Sequence, residues 1–141
     1  MYLIGIPLLL LPFVIYNIIA FLMPGVSWSA PVFSVHLPSG ADWTMSAGDM
    51  LVVFAVLMLF GEVVKATRIV MRSVVDHGLS LILFLGMLVE FGLVAQTGTG
   101  TFFILLVISF VDVLGGFVVT LRSAQRDLSI EGNGLPHIPT S

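Results

Sequence analysis

The chain has 141 residues, of which 58% are hydrophobic and 9% charged, with a formal net charge of -3. Soluble domains carry about 25% charged residues, so this composition cannot cover a water-soluble globule and its solvent must be largely lipid. The absence of cysteine excludes disulfide exchange, thiolate metal sites and palmitoylation, and no basic run points to nucleic acid as a partner.

A hydrocarbon core about 30 Å thick needs roughly 20 apolar residues of helix, and four segments meet that length. The first covers about 2–23 and is closed by Pro24 and Gly25. It contains Pro7, Pro12 and Asn17, so a bent or locally loosened helix is expected. It lacks the positive start of a secretory signal peptide and its apolar run is longer than such a signal needs, so it is expected to stay in the mature protein.

The loop 24–47 follows. Residues 31–37 are β-prone and partly alternating, 38–41 supply turn chemistry, and 42–45 can return as a second strand, so the loop is able to form a small β-hairpin. His36 has only Asp42 nearby as a conventional ligand. A zinc site wants three or four, and a surface imidazole is the simpler reading.

Ser46 followed by Asp49 is a capping signature for a second span at about 48–66, and Ser73 followed by Asp76 is the same signature for a third at about 74–96. A Thr-Gly-Thr-Gly-Thr turn then leads into a fourth at about 101–121. That turn lacks the lysine and the strand–helix setting of a phosphate loop. Beyond it, 123–130 can continue the helix by a turn or two, whereas Glu131 onward is rich in helix breakers; 127–141 is expected to be a flexible tail, leaving 1–126 as one four-helix domain. The fold class expected is all-α integral membrane, a four-transmembrane-helix bundle with a short extracytoplasmic loop.

The basic residues orient it. Lys65, Arg68 and Arg72 lie between spans two and three, and Arg122 and Arg126 follow span four. The positive-inside rule places these segments, and by counting both termini, in the cytoplasm. Trp28 and Trp43 then flank the outer loop, where indole rings commonly mark a headgroup boundary.

Ionisable residues inside spans are costly and are read first as functional. At about 1.5 Å per residue, Glu90, Asp112 and Glu62 fall roughly 9, 16 and 22 Å from the outer end, a descending series of carboxyls. In span four, Ser109, Asp112, Gly116, Thr120 and Ser123 recur at helical spacing and mark an inward stripe. Gly86 and Glu90 share a face of span three, and Gly86 would let a neighbouring helix approach. Asn17 matches the depth of Glu90 and could hydrogen-bond to it, and Lys65 lies one turn from Glu62 as an ion-pair partner. The structural alternative is that each carboxyl is a hydrogen-bonded helix contact, at about 0.6 kcal/mol on average.

No histidine sits in mid-span to ligate haem, and no nucleotide, zinc-protease or serine-hydrolase motif is present, so no cofactor, no metal and no enzymatic activity are expected. The layout resembles that of small bacterial inner-membrane proteins, and its size is similar to that of small four-helix subunits of secondary transporters. This is a likeness of architecture, not of motif. Two functions follow as expectations. One is a non-catalytic multi-pass protein of the bacterial inner membrane, a subunit, partner or assembly component of a larger or homo-oligomeric complex. The other is a small proton- or cation-coupled carrier or channel using Glu90 and Asp112.

Overall fold

The computed structural model of the protein describes residues 6–68 and 73–133. Arg72 lies outside the described residues, as do the side chains of Arg68, Ser73 and Ser123. Among the described residues, three helices are long and apolar enough to cross a membrane: α2 (Ala47–Arg68), α3 (Ser73–Leu93) and α4 (Gly100–Asn133). A shorter apolar helix, α1 (Leu10–Leu22), precedes a two-stranded antiparallel sheet of β1 (Pro31–His36) and β2 (Asp42–Ser46).

The first expected span is corrected by its prolines. Pro12 has no N–H to give, and its ring would clash with the Leu8 carbonyl in a continuing helix. The chain instead turns at residues 7–9, with Leu10 N–H donating to the Pro7 carbonyl at 3.0 Å and Leu11 N–H to that of Leu8 at 3.1 Å. Helix α1 therefore begins at Leu10, and its 13 residues span only about 20 Å. The turn nevertheless carries the segment far along the bundle. The Ile6 carbonyl accepts from Lys65 Nζ near the end of α2, whereas Tyr16 reaches the far end, where its hydroxyl donates to the Gln96 carbonyl at 3.0 Å.

The loop 24–47 does fold as a hairpin. Leu37 N–H donates to Ala41 and Gly40 N–H to Leu37, both at 2.9 Å, and Gly40 takes the positive φ of 88° that this turn needs. Strand β2 passes into α2 without a linker. There Ser46 and Asp49 form a reciprocal capping box, Asp49 N–H donating to Ser46 Oγ at 3.1 Å and Ser46 N–H to Asp49 Oδ2 at 3.0 Å. Ser46→Ala should cost about 1 kcal/mol, visible as a lower thermal midpoint in detergent. An unchanged midpoint would show that the strand already holds the helix start.

The Thr-Gly-Thr-Gly-Thr turn works as two caps. Thr97 Oγ1 lies 2.8 Å from both the Glu90 and Val94 carbonyls, its one proton shared between them, and closes the end of α3. Thr99 Oγ1 accepts from Phe102 N–H at 3.2 Å and starts α4. Helix α4 then runs on through Asn133, well past the apolar span and into the stretch expected to be tail, while 134–141 lie outside the described residues.

The bundle is packed differently at its two ends. At the hairpin end Tyr16 is completely buried, stacked on Trp28 with ring centroids 4.5 Å apart and edge-on to Phe102 at 5.0 Å. Leu51, Ala55, Met87 and Leu105 complete this apolar half. The exterior is apolar as well: Phe60, Ile82 and Leu93 are 68%, 66% and 81% exposed. An apolar skin of this extent marks a surface made for lipid or protein, not water.

Candidate functional site

At the end of the bundle away from the hairpin, α2, α3 and α4 line a partly open cavity of about 190 Å³. Its wall carries Glu62 and Lys65 from α2, Asp76, His77 and Ser80 from α3, and Asp112 from α4. Five of those six side chains are ionisable, which an apolar bundle accommodates only if they are paired or hydrated.

Lys65 is the hub. Its ammonium lies 3.9 Å from Glu62 Oε2 and 3.6 Å from Asp76 Oδ2, and it donates to the Ile6 carbonyl at 3.0 Å. The Glu62 side chain is only 7% exposed, and its second oxygen accepts from the Leu8 N–H. The turn before α1 is thereby fastened to the carboxylate–ammonium network. This fastening gives the acidic residue there a structural role.

Asp112 faces the same space, with Ser80, His77 and Lys65 around it. One of its oxygens, Oδ2, is buried without a hydrogen-bond partner, as are Asp76 Oδ1 and His77 Nδ1. Buried polar atoms of this kind are ordinarily satisfied by protein or by ordered water. A cavity of about 190 Å³ has room for several waters, whose share of liquid volume is about 30 Å³ each. The imidazole fits because α4 has no side chain opposite it: a Cβ on Gly116 would lie 2.5 Å from His77 Nδ1.

The expected series of carboxyls divides into two groups. Glu62 and Asp112 share the cavity. Glu90 does not line it, being ten residues, or about 15 Å, along α3 from Ser80. Glu90 is instead beside Asn17, whose amide donates to Oε2 at 3.5 Å and to the Phe13 carbonyl at 3.0 Å. Ser109 is buried, its hydroxyl without a partner, but it lies outside the cavity wall. Gly86 is exposed, with nothing within 4 Å of where its side chain would be, so it brings no helix close within the chain.

Of the orienting residues, Lys65 is drawn into the network, while Arg122 and Arg126 are exposed on α4. Trp28 is half-buried against Tyr16, and Trp43 stands exposed on β2. Sequence reasoning used Asp76 as part of a capping signature, gave no role to His77 and passed over Ser80. A signal was present, since Ser80, Leu83 and Met87 form the buried stripe of α3 and Asp76 continues it by one turn. Among the described residues no group of three or more His, Asp or Glu is placed to hold a metal ion.

Comparison with protein-family models, curated proteins and solved structures found no match.

Proposed function

We propose that the chain is a four-span protein of the bacterial inner membrane, with both termini cytoplasmic, that binds and releases protons at its inner cavity as part of a homo-oligomeric or mixed membrane complex. The fourth crossing is supplied by α1 with the turn before it. Support for that count comes from two contacts of the segment, Ile6 with Lys65 near the end of α2 and Tyr16 with Gln96 in the turn between α3 and α4. The lysine-bearing end of the cavity then faces the cytoplasm.

The single observation that carries the proton reading is the convergence of Asp76, His77 and Asp112, each with a buried unpartnered polar atom, on one cavity large enough for water. Carboxyl, imidazole and water together are the usual components of a proton relay. The ligand geometry favours a proton over a metal ion, because no three of these groups are arranged to ligate one. The carboxylate expected to act with Asp112 was Glu90; the shared cavity instead favours Glu62 and Asp76 as its partners.

A reason for a complex lies at the other half of the bundle. Tyr16, Met87 and Phe102 fill the interior toward the hairpin, so the cavity is a pocket and not a through-pore. A complete route across the membrane therefore needs a second copy, a partner chain or a rearrangement of that aromatic plug. Purified in mild detergent, the protein is expected to give a native mass above that of one chain. Reconstituted into liposomes with an internal pH-sensitive dye, that assembly should conduct protons and Asp112→Asn should abolish the flux. Equal flux in wild type and variant, or none in either, would sink the proton reading. A chain that always isolates alone would sink the complex.

A further inference from the structure

The hairpin has two chemically different faces. Register pairs Phe33 with Met45 and Val35 with Trp43, while Ser34 pairs with Thr44 and His36 with Asp42. Side chains alternate across a strand, so the first four form one face and the last four the other. Geometry agrees: the Phe33 and Trp43 rings meet edge-on at 5.6 Å, Ser34 Oγ lies 2.8 Å from Thr44 Oγ1, and His36 Nδ1 lies 2.6 Å from Asp42 Oδ1. Among the described residues nothing covers the apolar face fully, with Phe33, Val35 and Trp43 each 42–44% exposed.

An isolated two-stranded hairpin is marginal in water and needs its apolar face packed against something. The base of this one is fixed. Ala47 N–H donates to the Ala30 carbonyl at 3.0 Å and Gly48 N–H to that of Trp28 at 2.8 Å, and β2 becomes α2 without an intervening residue. If α2 crosses the bilayer, the hairpin is tethered at headgroup level. Its six-residue strand is about 20 Å long, enough to lie along the surface.

The geometry points to the hairpin lying flat on the outer leaflet, with Phe33, Val35, Trp43 and Met45 in the headgroup–acyl boundary and the His36–Asp42 pair turned to water. The inference rests on the bilayer reading above. Three features favour lipid as the occupant. The bilayer is always present at the depth where the base is pinned. The face carries Trp43 among Phe33, Val35 and Met45, and tryptophan is enriched at membrane–water interfaces. Neither strand carries Lys or Arg, and the only charges lie on the opposite face, so the contact needs no anionic lipid.

The native chain has no cysteine, so each introduced thiol is unique. Phe33→Cys, Ser34→Cys and Val35→Cys, all at exposed strand positions, would be spin-labelled in liposomes of zwitterionic lipid and their collision rates compared for oxygen and a water-soluble nickel chelate. Phe110→Cys, exposed on α4, reports on the span itself. Labels at 33 and 35 are expected to favour oxygen at shallow depth, the label at 34 to favour the chelate, and the label at 110 to lie deep in lipid. An impermeant maleimide should modify Ser34→Cys about tenfold faster than Phe33→Cys, because apolar surroundings disfavour the thiolate. Water exposure at 33 and 35, with 110 deep in lipid, would overturn the hairpin's placement and leave the bilayer reading intact. Positions 33 and 35 shielded from both probes would assign the face to protein and likewise overturn it. A label at 110 exposed to the chelate would remove the bilayer reading and this inference with it.

Discussion

Lys65→Met should lower stability by about 3 kcal/mol or more, the cost of stripping one partner from a buried charge network. The ammonium stands between Glu62 and Asp76, at 3.9 and 3.6 Å, with side-chain exposures of 17%, 7% and 20% for lysine, glutamate and aspartate respectively. Methionine keeps the length and the apolar stem of the side chain but leaves two carboxylates facing one another across the cavity. The change also releases the Ile6 carbonyl and so loosens the turn that leads into α1. Equilibrium unfolding in mixed detergent micelles measures the loss, and the triple variant K65M/E62Q/D76N is the control. Removing both carboxylate charges should restore most of the stability, because the penalty belongs to unpaired charge and not to missing bulk. A triple variant as unstable as K65M alone would mean that the lysine acts through packing.

The second large effect is expected at adjacent glycines of α4 and should have opposite signs. At Gly115 a methyl group meets nothing within 4 Å, so Gly115→Ala should stabilise the helix by up to about 1 kcal/mol through helix propensity. At Gly116 the same methyl would come 2.5 Å from His77 Nδ1 and 3.3 Å from its Cγ. Gly116→Ala must therefore push α3 and α4 apart or turn the imidazole out of the cavity, at about 1–3 kcal/mol for an overpacked contact. The pair should also separate by proton flux, retained in G115A and reduced in G116A. Equal melting temperatures for the two variants would show that the α3–α4 contact yields freely.

How far these features were legible in the sequence depended on the range of the interactions that create them. The Ser46–Asp49 cap and the hairpin are set by neighbours a few residues apart, and both could be read from residue order. The Glu62–Lys65 pair is one helical turn and was equally plain. The start of α1 was harder, because two prolines in an apolar run permit either a bent helix or a turn; the clash of Pro12 with Leu8, together with buried Leu9, settles on the turn. Counting residues from helix ends put Asn17 beside Glu90 correctly. The same count placed Glu90 and Asp112 in one series, because depth alone says nothing about which side of a helix faces which neighbour. The cavity depends on three helices meeting at Glu62, Ser80 and Asp112, and no local pattern records such a meeting.

Helix α4 has 34 residues and is about 51 Å long, a single rod that starts beside the aromatic plug, passes the cavity and continues to Asn133. It contains no proline, and its two adjacent glycines sit where it passes His77. Paired small residues are where long helices bend, so the compliant joint of the rod is also a wall of the cavity. From that joint to Asn133 is about 26 Å, and a flexure of about 10° would carry the far tip roughly 4 Å sideways. The protruding end is thus a lever arm: force applied to it would be delivered at the cavity wall, and a change in the cavity would be magnified at the tip.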